Sequence, residues 1–227
     1  MRYVLAAILS IGLFTSCFAA ESELKNLKDK ESYSFGYQFG QSLKAQGLDL
    51  NLDVYSSAIK DGLAGKEPPV SKEEMQKIMA DIQARVMAAR QKEMKEQGDK
   101  NLAEGKAFME ENKKKEGVKS LPSGLQYKVL KEGGGKTPKA TDTVTVNYRG
   151  TLINGTEFDS SYKRGTSTTL QLQRIIPGWQ QALPLMKEGS KWQFFIPPEL
   201  AYGSREAGPI PPNSTLIFDI ELLSVTQ

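Results

Sequence analysis

The sequence predicts an α+β protein. An all-helical N-terminal half ends in a long connecting helix, and a C-terminal antiparallel sheet wraps on one short helix. Three observations carry that reading. Apolar residues recur at three- and four-residue spacing along the first half and switch to alternation after about residue 118. No proline lies between Pro69 and Pro122, and that stretch opens with the capping box Ser71-Lys72-Glu73-Glu74. Gly- and Pro-rich turns then punctuate the chain to its end.

The first element, residues 1–20, reads as a signal peptide. Met1-Arg2 precedes an apolar run from Val4 to Phe14, and small residues close the segment at Cys17-Phe18-Ala19-Ala20. The run is shorter than the roughly 20 residues needed to cross a bilayer. Two cleavage sites compete. Cutting after Ala19 or Ala20 releases a soluble exported protein without cysteine. Cutting before Cys17 leaves a lipid-modified N-terminus, although Phe14-Thr15-Ser16-Cys17 only loosely resembles a lipobox because Phe replaces the usual Leu. Soluble export is preferred, and a membrane enters the picture only if Cys17 is lipidated.

Residues 21–70 are read as a helical dimerisation domain. Tyr33, Phe35, Tyr37 and Phe39 alternate with Ser34, Gly36, Gln38 and Gly40, which by itself argues for a strand. Helix formers flank the row on both sides, from Leu24 to Glu31 and from Gln41 to Gln46, so a helix is preferred. Asn51 to Leu63 reads as a second helix with Leu52, Tyr55, Ile59 and Leu63 on one face and Gly65 as its stop. About fifty residues cannot bury a sufficient core alone. Another surface is implied, from the same chain or from a second copy.

Residues 71–117 are read as the connecting helix. Met75, Ile78, Met79, Ile82, Val86 and Ala89 form a stripe that fades after about Met94, while helix formers continue to Lys115. Roughly 45 residues at 1.5 Å each span about 65 Å. Gly98 and Gly105 each cost about 1 kcal/mol against alanine and suggest a bend. The helix either packs on a neighbouring domain, or dimerises through its first half and serves as a bare polar spacer in its second. The spacer is preferred.

Residues 118–227 are read as a small β domain. Strands are expected at Gly124 to Leu130, Asp142 to Gly150 (with Thr151-Leu152-Ile153 as a continuation), Thr168 to Leu172, Lys191 to Ile196 and Leu216 to Val225. Asn154-Gly155 is a turn, and Gly178 to Met186 a short helix with Trp179, Leu183 and Met186 on one face. Between Phe158 and Phe218, aromatic and aliphatic residues with one carboxylate, Asp159, are separated by Gly and Pro. They cannot share one helix, so they can converge only as the lining of an apolar pocket. Taken singly, Trp179, Phe158, Ile175 and Phe218 are ordinary core residues, Tyr148 and Tyr202 half-buried sheet residues, and Asp159 a turn cap. The joint pattern favours the pocket.

Composition narrows the chemistry. The chain has 227 residues, no histidine, one cysteine and a formal charge of +3. Imidazole catalysis, an intrachain disulfide and a thiolate metal cluster are excluded. Neither a metal nor a cofactor is expected. Lys113-Lys114-Lys115 is flanked by Glu110, Glu111 and Glu116, a solvated helix face rather than the basic stripe of a nucleic-acid binder.

Tyr148, Gly155-Thr156-Glu157-Phe158-Asp159-Ser160-Ser161, Ile175-Ile176-Pro177-Gly178-Trp179, Glu188-Gly189-Ser190, Ala201-Tyr202-Gly203 and Ile217-Phe218-Asp219-Ile220-Glu221-Leu222-Leu223 together resemble an FKBP-type peptidyl-prolyl cis-trans isomerase, in order, from about Ser123 to the end. Lys30 to Leu125 is similar to the N-terminal domain of the macrophage infectivity potentiator group, through Tyr33-Ser34-Phe35-Gly36, the long helix and Leu121-Pro122-Ser123-Gly124-Leu125-Gln126-Tyr127. The resemblance implies an FKBP fold and an isomerase for which the missing histidine is no objection.

Carried over, the resemblance makes Trp179 the pocket floor and Tyr148, Phe158, Ile175, Ile176 and Phe218 its walls. The Ile176 amide and the Tyr202 hydroxyl would bond substrate carbonyls, and Ile210 would flank the mouth. Asp159, at the rim, would face the twisting carbonyl or orient Tyr148. Catalytic roles thus fall to Asp159, Tyr202 and Tyr148. The chain departs from familiar members at Thr168-Thr169, where a second aromatic wall is usual and Leu170 is the nearest apolar residue. It departs again at Arg205-Glu206-Ala207, where histidine is common. Pocket width and preference around the proline follow these departures.

The resemblance further implies proline-containing unfolded or partly folded clients, a homodimer through the N-terminal helices, macrolides as candidate inhibitors, and export to the periplasm or to the outer membrane or surface of a Gram-negative bacterium. A holding chaperone, with isomerisation incidental, is the competing function. Host-directed surface binding rests on family analogy alone.

Overall fold

The computed structural model describes residues 24–226. The signal segment 1–20 and Cys17 lie outside the described residues. The chain divides into two compact units within its longest helix, between Met79 and Ala80.

The first unit is helical. Helix α1 (Leu27–Ala45) starts where the Asn26 side chain accepts the Asp29 amide at 2.9 Å. The Tyr33 to Phe39 row therefore lies on a helix, and the flanking helix formers outweigh its period-two spacing. Helix α2 (Leu52–Leu63) is capped by Asn51, which accepts the Asp53 and Val54 amides at 3.1 Å each. The chain leaves it through Gly65 in the left-handed region, at φ +66°. Tyr33 stacks on Tyr37 and Phe39 on Tyr55, at 6.0 and 5.1 Å between ring centroids. Neither helix buries a residue.

Helix α3 (Lys72–Asn112) is unbroken through both glycines. From Ala80 onward it belongs to the second unit, and there the spacer expectation fails: Gly98, Gly105, Met109 and Asn112 are buried. A Cβ on Gly105 would lie 2.3 Å from the Thr215 hydroxyl, and one on Gly98 3.1 Å from Asn213 Nδ2. The glycines are points of close approach rather than bends. Polar bonds complete the dock. Asn101 donates to the Pro212 carbonyl at 2.7 Å and Asn213 to that of Gly98 at 3.2 Å. Asn112 donates to the Gln126 side chain, which in turn donates to the Met109 carbonyl, each at 2.9 Å. Phe108 lies against Phe195, 6.0 Å between centroids.

The sheet contains β1 (Val118–Ser120), β2 (Gln126–Lys131), β3 (Thr143–Leu152), β4 (Glu157–Ser160), β5 (Thr168–Gln171), β6 (Lys191–Ile196) and β7 (Leu216–Thr226). Its order is β1-β2-β6-β7-β3-β4, with β5 also paired to β3 and every pairing antiparallel. The sequence reading lacks the short strands β1 and β4. Val144, Val146 and Tyr148 of β3 point to the same buried side as Phe218, Ile220 and Leu222 of β7. Asp219 and Glu221 take the other face, as their alternation predicts. Helix α4 (Ser161–Arg164) is a single turn after β4, and α5 (Pro177–Ala182), continued by a 3₁₀ turn at Leu183–Leu185, crosses the buried side. Trp179, Ala182, Leu183 and Met186 join the core there.

Candidate functional site

The site grows out of this core. Pro177 opens α5 with φ preset for a helix, and Gly178 lets it seat closely on β6. A Cβ on Gly178 would fall 2.6 Å from the Ile196 side chain. That contact brings Trp179, 4% exposed, beneath the inner faces of β3 and β7. Tyr148 and Phe218 stand edge-on to Trp179 at 5.4 and 5.1 Å, and Phe158 stands edge-on to Phe218 at 5.4 Å. Such pairs add about 0.5–1.5 kcal/mol each beyond area burial. Gly150 makes room for them, since a Cβ there would meet the Phe158 ring at 2.5 Å and the Phe218 ring at 2.8 Å.

Above the Trp179 ring opens a cavity of about 660 Å³. Tyr148, Phe158, Asp159, Ile175, Ile176, Trp179, Tyr202 and Phe218 all line it. Leu170, the apolar residue nearest Thr168-Thr169, lines it too. Ile210 does not line it. It is 5% exposed and belongs to the core, because a tight turn pairing Ala207 with Ile210 directs it inward and leaves Pro209 on the lining. Arg174, Ala201, Arg205 and Ala207 complete the mouth.

At the rim, Asp159 accepts hydrogen bonds from the Tyr148 hydroxyl and the Arg164 guanidinium. Arg164 also donates to the Tyr148 oxygen at 2.9 Å and to Thr168 Oγ1 at 3.2 Å, and its guanidinium lies 5.4 Å from the Tyr148 ring centroid. Burial first, and then the bond to Asp159, push the Tyr148 hydroxyl above its ordinary pKa, with Arg164 opposing. The bonds to Tyr148 and Asp159 raise Arg164 in turn. Tyr148 thus keeps its proton at neutral pH, and Asp159 serves as acceptor for two fixed donors. The geometry fits the orienting role for Asp159.

Sequence reasoning missed Arg164. The available signal is local: Ser160 caps the turn by accepting the Lys163 amide at 3.4 Å, and Gly165 ends it at φ +70°. That single turn folds the residue five positions after Asp159 back onto it.

Two groups at the cavity carry free hydrogen-bonding capacity. Among the described residues, nothing accepts from the Ile176 amide, whose carbonyl caps α5 by accepting from Trp179 and Gln180 at 3.0 and 3.2 Å. Nothing among them partners the Tyr202 hydroxyl. Gln180 steadies this edge by donating to the Ile175 carbonyl at 2.8 Å. No group of three or more His, Cys, Asp or Glu side chains poised to hold a metal occurs among the described residues.

Comparison with known proteins adds two family matches. Residues 134–223 match the family described as FKBP-type peptidyl-prolyl cis-trans isomerase. Residues 28–129 match the domain described as amino terminal to FKBP-type peptidyl-prolyl isomerase. The chain is similar to the outer membrane protein MIP of Legionella longbeachae, 45% identical over 229 residues that cover 100% of this chain and 98% of that one. It is also similar to the peptidyl-prolyl cis-trans isomerase Mip of Coxiella burnetii, 42% identical over 229 residues and 100% of both chains. The crystal structure of FkpA from Escherichia coli superposes with a TM-score of 0.70 at 42% identity, covering 89% of this chain and 98% of that one.

Proposed function

The chain belongs to the FKBP-type peptidyl-prolyl cis-trans isomerases and is an isomerase of the Mip and FkpA type, and from that premise we propose that it acts outside the cytoplasm, as a homodimer, on X-Pro bonds of unfolded or partly folded proteins. The observation that carries the site assignment is the aromatic box of Tyr148, Phe158, Trp179 and Phe218, open above Trp179 and bordered by unspent hydrogen-bonding groups.

An X-Pro bond resists rotation because its C–N bond has partial double-bond character, with a barrier of about 18–20 kcal/mol. In the twisted transition state the carbonyl and nitrogen lose their resonance and charge separation falls. An apolar enclosure therefore disfavours the planar amide more than the twisted one. Each 1.36 kcal/mol of that difference is worth about tenfold in rate. In this reading the proline ring sits on Trp179 between Phe158, Tyr148, Ile175 and Phe218. The Ile176 amide and the Tyr202 hydroxyl bond the carbonyls of the flanking residues and hold the peptide while it rotates. Asp159 and Arg164 fix the Tyr148 hydroxyl so that the wall keeps its shape. No proton changes hands.

A protease-coupled proline isomerisation assay tests this. Wild type should accelerate cis-to-trans exchange, and Asp159→Leu should retain the fold but lose about 10- to 100-fold in kcat/KM, the worth of a charged hydrogen-bond acceptor. A wild type that leaves the uncatalysed rate unchanged sinks the reading.

The dimer is supported by the first unit, where α1 and α2 bury nothing and Tyr33, Phe35, Tyr37 and Leu63 are exposed. The same apolar surface favours a second reading, in which it holds clients and the protein is a chaperone. Sedimentation separates the two, because a dimer would cover that surface before any client arrives. Export is supported by the apolar segment within residues 1–20, and an outer-membrane address by the similarity to the outer membrane protein MIP of Legionella longbeachae. Among the described residues no helix is long and apolar enough to cross a membrane.

A further inference from the structure

Within the isomerase reading of the pocket, we propose that its mouth selects X-Pro segments carrying an aspartate or glutamate beside the proline, through Arg174 and Arg205, and that Arg90 of α3 sustains the preference from outside the pocket.

The charges at the mouth do not balance. Asp159 is the carboxylate on the cavity lining, and Arg164 holds it in an ion pair. Arg174 and Arg205 line the same cavity, are exposed, and form no ion pair among the described residues. Arg174 ends the 3₁₀ turn that leads into Ile175 and Ile176, and Arg205 lies three residues after Tyr202. They therefore stand on the segments that carry the Ile176 amide and the Tyr202 hydroxyl, the two groups that would grip the peptide on either side of the proline. In this reading a side chain flanking the proline comes close to one of them.

The obvious internal counterion for Arg205 is its neighbour Glu206. It is engaged elsewhere. Glu206 pairs with Arg90 on α3 at 3.2 Å, across a cleft of about 650 Å³ bordered by Met94, Gln97, Pro209 and Pro212. Further along the chain, Pro212 and Asn213 are tied to the same helix by the bonds from Asn101 to the Pro212 carbonyl and from Asn213 to that of Gly98. The helix thus draws the negative charge to the back of the loop and leaves the positive charge at the pocket. Both arginines being exposed, each contributes modestly and salt screens the effect.

The test uses the full-length protein and peptides of the form Ala-Xaa-Pro-Phe, with Xaa as Glu, Lys or Leu, at low and at high ionic strength. The ratio of kcat/KM for Glu over Lys should be roughly two- to tenfold at 10 mM salt and should collapse toward one at 1 M. The double variant Arg174→Glu/Arg205→Glu should invert the ratio. Arg90→Gln, which releases Glu206, should lower it partway. A Glu/Lys ratio of one at low salt, or a ratio that survives the double charge swap, overturns the proposal. Failure to turn over the Leu peptide would instead sink the isomerase reading. Calorimetric binding of the Glu and Lys peptides then reads the charge preference without turnover, and equal affinities would overturn it.

Discussion

Residues 24–79 and residues 80–226 both carry rows of large apolar side chains, yet only the second unit buries them. Phe35 is 78% exposed on α1, while Phe194 on β6 is fully buried. The difference does not lie in hydrophobicity. A sheet stacks residues from β3, β6 and β7 onto one face and α5 closes it, so each apolar residue finds partners within the chain. Two short helices offer no second layer. Glycine behaves differently in the two units as well. Gly36 and Gly40 open onto empty space, whereas Gly98, Gly105, Gly150 and Gly178 are each filled against by a named neighbour. In the second unit these four glycines mark contacts already made.

The comparison can be broken at several points. Trp179→Ala removes the floor of the pocket and a core member together. It should cost about 3–5 kcal/mol in thermal or denaturant unfolding and abolish isomerase activity. A stable, active variant would mean the pocket is not an extension of the core. Replacing Tyr33, Phe35 and Tyr37 with serine should convert a dimer to a monomer in sedimentation while leaving isomerisation of a short peptide unchanged. A dimer that persists moves the interface off α1.

A sharper contrast sets two alanines against each other. Gly105→Ala drives a methyl into Thr215, itself 3% exposed, and should destabilise the second unit by about 1–3 kcal/mol. Gly36→Ala meets nothing within 4 Å in its own chain and gains helix propensity, so any loss of stability or assembly there reports the second copy.

The smallest effect is a pH dependence. The folded state raises the Tyr148 pKa, so it binds the phenolic proton more tightly than the unfolded chain does. The resulting stability is fully present below the unfolded value of about 10 and is lost as pH rises through the folded value. Tyr148→Phe should therefore flatten the alkaline limb of a stability-pH profile. An unchanged limb would show that the Tyr148 hydroxyl carries no linkage.

The aromatic residues at Phe158, Trp179 and Phe218 were legible as a pocket because they are large, apolar and separated by turns, whereas Tyr148 was placed in it by the family resemblance. Leu170 was legible only as the apolar residue nearest the position where the family usually carries a second aromatic wall. Arg164 was not legible, because its place depends on a one-turn helix whose only mark is the Ser160 cap and the Gly165 stop. The burial of Ile210 was not legible either, because its direction is decided by the hydrogen-bonded turn with Ala207 rather than by its hydrophobicity.

By itself the sequence determined the sequence-local facts. These are the Ser71 cap, the proline-free helical run that opens there, the change to alternation on β3 and β7, and the exclusion of imidazole chemistry. Each is written within a few residues, where propensity and side-chain period act. Only the tertiary structure decided that the polar end of α3 docks on the sheet domain, that Asp159 is spent on Tyr148 and Arg164, and that Glu206 turns away from Arg205 toward Arg90. Those contacts use glycines and hydrogen bonds, some between residues more than a hundred positions apart, and neither glycine nor a paired charge leaves a periodic mark on the chain.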